Sequence, residues 1–233
     1  MRTLTLVILL TAIAAGTCLG YEGFDGRAIT DNAFTKTGYT LNKGEFAIGI
    51  GPMDFGITDR VQLGTNLLLW VVQYYNADLK VAVMESEQGA LSLGVGFGSL
   101  NLNWDDNDHN DEKVDFFQIS PYIAGSVRVA DNTLWHIGGR YSHFEEDDLG
   151  IEDAEVTATA SGTAVHTGIE HAYSNRTKFL ADIAYDTTFE GIRAGGAVLF
   201  GWDNFRLKLG LSYFSAEDGF TWPIVGLWWR FDA

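Results

Sequence analysis

The amino-acid sequence predicts an all-β fold, a transmembrane, antiparallel, up-and-down β-barrel of twelve strands. Three observations lead to this class. Apolar residues recur at every second position through most of the chain, whereas the spacing of an amphipathic helix is rare. The apolar faces carry aromatic residues near strand ends, as the girdles of membrane-spanning barrels do. Short and long connections also alternate along the chain.

Residues 1–20 are predicted to be a secretory signal peptide, and residues 21–233 a single barrel domain. A basic residue precedes an apolar run over residues 4–15, which is shorter than the ~20 residues that a spanning helix needs. Small residues follow this run. We therefore expect cleavage after Gly20 or after Gly16.

Cys18 is the only cysteine of the sequence. A lipoprotein cysteine would follow a leucine three residues earlier, where Ala15 stands, and cleavage after Gly20 would leave no cysteine in the mature chain. We therefore expect no disulfide or thiol chemistry. The net charge of −16 argues against a nucleic-acid partner, because the phosphate backbone attracts Lys and Arg. We predict no cofactor.

Eleven predicted strands follow one another from residue 45 onward. In the first, Phe46 and Ile48 lie on one face, while Ala47 and Gly49 lie on the other. The later strands repeat this pattern, and the least regular is expected to contain a bulge or a shift of phase. The predicted strands are 45–51, 60–69, 77–84, 91–98, 117–129, 135–143, 154–173 (the irregular one), 178–185, 192–200, 205–213 and 222–231.

The segment Phe34–Leu41 is predicted to supply the twelfth strand, because single-chain barrels normally have an even number. Ten strands is the alternative, if the first segments form a cap or plug. Leu67–Val72 interrupts the alternation. It is interpreted as an interfacial anchor, either a short external helix or a strand end, with a hydrophobic gate as the alternative.

The connections predict the orientation of the barrel. Membrane barrels have short turns on the periplasmic side and longer loops outside. Counted back from the last strand, the short turns fall on one side, so both termini are expected in the periplasm. The short turns are 56–60, 87–89, 130–133, 174–176 and 203–204, and the longer links lie near 71–76, 105–113, 145–153, 186–191 and 215–221.

Charged residues on the less apolar faces are expected to point into the lumen. Such residues can line an aqueous pore and set its selectivity, or pair across strands and close a narrow barrel, and both readings stay open. The candidates for lining and selectivity are Arg128, Arg140, Lys178, Asp182, Arg193, Arg206 and Lys208, joined by Glu45, Asp78, Lys80 and Glu170.

Two long links are rich in carboxylates, which are the ligands that hard divalent cations prefer. Asp106, Asp108 and Asp111 are candidate metal ligands. The spacing of Asp106, Asp108 and Asn110 resembles the start of an EF-hand, but Asp111 stands where that loop needs glycine and no glutamate completes it. The alternative is a solvated acidic rim.

No pair of side chains makes a convincing nucleophile and base. His136 and Ser142 share a face but lie ~20 Å apart along a strand. His166 and Glu170 share a face without an obvious serine partner. We therefore predict no catalytic residue and no enzyme, with an outer-membrane lipid hydrolase as the remote alternative.

The closing strand carries a motif of Gly226, then Trp229 and Phe231 three and five residues later. On this motif, the chain resembles Gram-negative outer-membrane β-barrel proteins over essentially the whole mature sequence. It departs from them at Ile224, where a polar residue is usual, and in the two residues that follow Phe231. The resemblance implies insertion by the barrel-assembly machinery with periplasmic chaperones, and contact with outer-membrane lipid and lipopolysaccharide.

The resemblance indicates where the protein is located but not what it does, because function depends on particular sites rather than on the barrel fold. The leading hypothesis is a small passive channel or a structural barrel with acidic external loops, which divalent cations would bridge or screen. A surface binding or adhesion protein that acts through those loops is the alternative.

Overall fold

The computed structural model describes residues 29–49, 52–104, 112–147, 158–202, 204–215 and 219–231. They form a closed barrel of twelve antiparallel strands, in which neighbours in sequence pair and β1 pairs with β12. The strands are β1 Phe46–Gly49, β2 Pro52–Thr58, β3 Val61–Asn66, β4 Tyr74–Ser86, β5 Gly89–Trp104, β6 Glu112–Ala130, β7 Thr133–Asp147, β8 Ala158–Ser174, β9 Thr177–Asp186, β10 Gly191–Trp202, β11 Phe205–Phe214 and β12 Phe220–Phe231.

The predicted number of strands is confirmed, but the predicted source of the twelfth strand is wrong. Phe34–Leu41 is not a strand of the barrel, because neither of its two faces is apolar throughout, and six of its eight residues are buried inside the lumen. The extra strand comes from residues 45–58, which form the hairpin of β1 and β2. A plug and twelve strands therefore coexist. The irregularity expected in 154–173 lies at the end of β8, where the register shifts between Ala172 and Ser174.

The two faces of the wall point as the alternation predicts. Leu93 is 50% exposed and Ile137 is 56% exposed, whereas their neighbours Ser92 and His136 are fully buried. A closed barrel with an apolar outer surface places that surface in lipid, because lipid offers no hydrogen-bond partners for the backbone and closure removes the need for them.

One short helix, α1, occupies Leu67–Val71. Asn66 caps it, since its side-chain oxygen accepts a hydrogen bond from the Leu68 N–H at 3.2 Å. None of its residues is buried, and Val71 is 80% exposed. Of the two predicted forms, a short helix or a strand end, the helix is present, with an apolar surface suited to the membrane interface. None of the described helices is long and apolar enough to cross a membrane.

Residues 29–41, named the plug here, lie inside the barrel. A bridge between Asp31 and Lys36 closes a small hairpin, and the Thr37 N–H donates to the Thr30 carbonyl at 3.1 Å. The chain then turns through Gly44, whose φ of 76° favours glycine, and enters β1. The plug is therefore joined to the first strand of the barrel by a short turn.

An apolar cluster fixes the plug to the inner wall. Ile29 and Ala33 pack with Leu180 on β9, Leu199 on β10 and Ile224 on β12. Burial of such side chains is worth roughly 1.5–3 kcal/mol each. The cluster explains the departure from the outer-membrane motif at Ile224: this residue faces the plug rather than water.

The wall is uneven in height. The first three strands are short, and only residues 50 and 51 connect β1 to β2. β12 pairs with β1 only from Trp228 to Phe231. Within the described strands, Phe220–Leu227 pairs with β11 on one side and with no strand on the other. We call this low sector, between the upper part of β12 and β4, the notch.

Candidate functional site

The lumen holds a cavity of about 1080 Å³ beside and above the plug. Phe220 and Trp222 line it at the start of β12, and Trp228 and Arg230 line it at the other end of the same strand. The distance between these ends is roughly 30 Å at ~3.3 Å per residue, or about 25 Å of height for a tilted strand. The cavity therefore follows β12 through the depth of the barrel.

A group of paired charges lies inside the lumen. Lys36 of the plug forms ion pairs with Asp31 at 3.0 Å and with Asp78 of β4 at 3.6 Å. Asp78 also accepts a hydrogen bond from the Tyr122 hydroxyl at 2.9 Å. Because each carboxylate has a partner inside the barrel, the desolvation cost of these charges is offset.

The ionisation of the plug residues reflects this pairing. Burial opposes the charge on Asp31, but attraction by Lys36, Lys80 and Lys208 outweighs it and lowers the Asp31 pKa to about 2. Burial would also lower the pKa of Lys36. The nearby carboxylates, Asp31 first and then Asp78, instead raise the Lys36 pKa well above its usual value. Both residues are charged at neutral pH.

Two lysines of the wall hold the plug by its backbone. The Lys80 ammonium donates to the Thr30 carbonyl at 3.0 Å, and the Lys208 ammonium donates to the Asn32 carbonyl at 2.7 Å. They come from β4 and β11, on different sides of the barrel. The hairpin of the plug is thus fixed from two directions.

Asp182 on β9 is the main acceptor for the turn of the plug. Its Oδ2 accepts from the Phe34 N–H at 2.8 Å and from the Thr35 N–H at 3.1 Å. Its Oδ1 accepts from the Asn32 amide at 2.5 Å. These three bonds use a charged acceptor, and such bonds are stronger than neutral ones.

Two arginines face the cavity without an ion pair among the described residues. The Arg193 guanidinium lies over the Phe34 ring, 4.2 Å from its centroid, and donates to the Ser212 hydroxyl at 3.4 Å. Arg140 lines the same cavity and lies close enough to repel Arg193. Two cations that share a cavity favour an anion between them.

A chain of buried polar groups runs beneath the plug. The Gly38 N–H donates to the Ser126 hydroxyl at 2.8 Å, and that hydroxyl lies 2.8 Å from His136 Nδ1. His136 Nε2 is 3.5 Å from a Glu170 oxygen, and Glu170 pairs with Lys178 at 2.5 Å. With Nε2 protonated, Ser126 donates to Nδ1 while it accepts from Gly38.

Sequence reasoning missed this chain because Ser126 and His136 lie on neighbouring strands, where they are opposite each other in register. His136 is fully buried, so the group anchors the plug and presents no accessible nucleophile. The pairs considered from sequence do not form: the Ser142 hydroxyl bonds with Ser120 at 3.0 Å rather than with histidine.

The charged residues predicted to line the lumen lie at different heights in the barrel. Arg140, Arg193 and Lys208 line the cavity. Asp182 is buried against the plug, and Lys178 is buried in the wall, where it pairs with Glu170. Arg206 lines the lower cavity. Arg128 lies at the short-turn rim, where it donates to the carbonyls of Glu87 and Asp131. Whether any of these residues sets selectivity stays a prediction.

Arg230 faces the lumen and pairs with Glu45 across the β1–β12 seam. Of the closing motif, Gly226 is buried on the lumen side, Trp229 is exposed on the lipid side, and the Phe231 ring stacks on Phe46 at 5.0 Å. The role of this closing motif in assembly stays a prediction.

The metal candidates Asp106, Asp108 and Asp111 lie outside the described residues. In the part of the chain that the structure describes, no group of three His, Cys, Asp or Glu residues is arranged to hold a metal ion.

A signal for the plug was present in the sequence. Leu134, Leu180, Leu199 and Ile224 occupy positions of the lumen-facing phase, and all are buried. A water-filled lumen would not favour large aliphatic side chains there. Tyr39 of the plug covers Leu134, as Ile29 and Ala33 cover the other three.

Comparison with known proteins finds no matching family model and no matching curated protein. Among solved structures, the chain is similar to one described as "KdgM porin in complex with disordered oligogalacturonate". That similarity has a TM-score of 0.49 at 10% sequence identity, and it covers 80% of this chain and 96% of that chain.

Proposed function

We propose that this chain is a channel of the bacterial outer membrane whose plug narrows the lumen to one charged passage along β11 and β12. The observation that carries the proposal is the cavity of about 1080 Å³, which residues from both ends of β12 line. A purely structural barrel would gain stability by filling this volume. A cavity along the length of β12 instead supports the passage of small solutes.

The charges of the passage favour small anions. Arg193, Arg206 and Lys208 line its wall on β10 and β11, whereas the carboxylates Asp54 and Asp78 line the side formed by β2 and β4. Opposed charges across a narrow lumen orient polar solutes and exclude apolar ones. With the short turns in the periplasm, the end of the cavity at Phe220 and Trp222 would face the exterior.

Single-channel recording on the purified mature chain in planar bilayers tests the proposal. We expect small, discrete conductance steps with anions more permeant than cations. Lys208→Gln should lower the chloride-to-potassium permeability ratio at least twofold, because this charge stands in the passage. Lys43→Gln is the matched control, since Lys43 is exposed at the turn before β1. A record that does not differ from the lipid blank would refute the channel.

The other two hypotheses have less support. The acidic loops lie largely outside the described residues, so surface binding through them stays a prediction. A lipid hydrolase needs a reachable nucleophile, and the described serine and histidine that contact each other, Ser126 and His136, are both buried under the plug.

A further inference from the structure

The notch leaves a strand edge open at membrane depth. The stretch Phe220–Leu227 of β12 has one unpaired edge within the described strands, on the order of 25 Å long at about 3.3 Å per residue. The described part of β1 does not reach this edge, because its last residue, Gly49, pairs with Trp228. Open edges do not persist against hydrocarbon unless something covers them.

The lumen cavity passes through the wall at this notch. Asp54 and Ile224 face the lumen and line the cavity. Thr65, Leu69 and Val225 face the outside, and they line the same cavity. Val225 lies on the unpaired edge of β12, where no described strand separates the lumen from the outside. The notch is therefore an opening between the lumen and the membrane.

The rim of the opening is apolar and poorly suited to another strand. Val225 is 67% exposed and Trp222 is 62% exposed. Two of the three prolines of the chain, Pro52 and Pro223, also line this part of the cavity. Proline has no N–H to donate, so its presence on an edge disfavours the addition of a strand from a second copy. An acyl chain needs no hydrogen bonds and suits such a rim.

A cationic site lies within reach of the opening. In the register of the sheet, Arg193 on β10 is opposite Phe214 on β11, and Phe214 is opposite Phe220 on β12. Arg193 and its neighbour Arg140 make no ion pair among the described residues. An anionic head group would balance both charges.

We propose that the notch is a lateral portal for a single-chain anionic amphiphile, whose acyl chain lies in the notch while its head group binds Arg193 and Arg140 in the cavity. This inference goes beyond solute conduction and does not depend on it. The ligand would enter from the membrane, whereas a conducted solute enters from the loops.

The test uses the full mature chain in detergent, with dodecanoate as the probe and a diazirine derivative of dodecanoate for labelling. We expect saturable binding of dodecanoate at least tenfold tighter than that of dodecanol or dodecyltrimethylammonium. We also expect the label at α1 and at residues 222–225 of β12. Uniform labelling around the lipid-facing surface would mean annular binding only, and would overturn the proposal.

Two pairs of variants separate the portal from the head-group site. Val225→Trp should obstruct the opening and weaken dodecanoate binding at least fivefold, whereas Val165→Trp on β8, at a site 54% exposed, should leave it unchanged. Arg193→Gln should reduce the preference for dodecanoate over dodecanol to less than twofold, while Arg128→Gln at the short-turn rim should keep it. Equal effects within either pair would overturn the proposal.

Heat-dependent gel mobility confirms that each variant is folded before binding is measured. Native mass spectrometry of the same samples tests the other occupant of the edge. A dimer that excludes dodecanoate would assign the notch to a second copy and overturn the portal. Single-channel recording remains a separate measurement, because loss of amphiphile binding with conductance intact would refute only the portal.

Discussion

Asp182→Ala should loosen the plug without opening the barrel. The substitution removes the acceptor of two backbone hydrogen bonds, from Phe34 and Thr35, and of one side-chain bond from Asn32. Bonds to a charged acceptor contribute roughly 1.5–3 kcal/mol each. Water in the lumen can form some of the hydrogen bonds that are lost. We therefore use the lower value, about 1.5 kcal/mol, and count the two backbone bonds only. The docked state of the plug should then lose about 3 kcal/mol.

Hydrogen exchange measures this loss directly. A change of about 3 kcal/mol corresponds to an increase of about two orders of magnitude in the exchange rate of the Phe34 and Thr35 amides, because each 1.4 kcal/mol is tenfold. The amides of β9 should exchange as slowly as before, since the sheet keeps its pairing. Mass spectrometry of plug peptides from the refolded chain, with fragmentation to single residues, gives both rates in one experiment.

The matched control is Asp131→Ala. Asp131 lies in the turn between β6 and β7, where its main-chain oxygen accepts a hydrogen bond from Arg128. This variant should leave exchange in the plug unchanged. If exchange at Phe34 and Thr35 in Asp182→Ala stays within threefold of the wild-type rate, then the apolar cluster alone holds the plug, and the role assigned to Asp182 is wrong.

Three further predictions concern the plug and the seam. Asp31 has a pKa of about 2 in the folded chain and 3.8 otherwise, so its stabilising effect is complete above pH ~4 and lost as pH falls toward 2. About a third of this side chain is exposed, which reduces the effect to ~1 kcal/mol. The protection of the plug amides, expressed relative to the intrinsic exchange rate at each pH, should therefore fall about fivefold on acidification, but not in Asp31→Asn. Ile224→Ala should weaken plug docking by about 2 kcal/mol as measured by exchange, whereas Leu211→Ala on the lipid side should not. Arg230→Gln leaves Glu45 without this partner and should lower the free energy of unfolding in urea by about 1–3 kcal/mol, and an unchanged midpoint would show that the pair is dispensable.

The barrel itself was predictable because successive side chains of a strand point to opposite faces, so that hydrophobicity and burial both alternate with a period of two residues. Ser92 beside Leu93 and His136 beside Ile137 already separate the two faces in the sequence. The plug was not predictable from alternation, because residues 34–41 have the length of a strand and mix polar and apolar side chains, as a strand does. The lumen-facing leucines and Ile224 did indicate that something covers the inner wall. This indication appears only when residues from several strands are considered together as one apolar surface.

The site depends on contacts that periodicity does not encode. Ser126 meets His136 because of strand register, and register is set by turns and by the closure of the whole sheet. Asp182 could be assigned to the lumen from its strand alone. That it accepts hydrogen bonds from the plug depends on a segment 150 residues earlier in the chain.

That separation has a consequence for the order of folding. The contact between Asn32 and Asp182 joins residues 150 positions apart, whereas the pair of Glu45 and Arg230 at the seam joins residues 185 apart, and contacts of high sequence separation form late. The plug is covalently continuous with β1, and β1 closes the barrel through only four residue pairs with β12. Once that seam has formed, the plug would have to thread a closed cylinder. The inner surfaces of β9 and β10 must therefore receive the plug while the sheet is still open, which makes the plug a template around which the barrel closes.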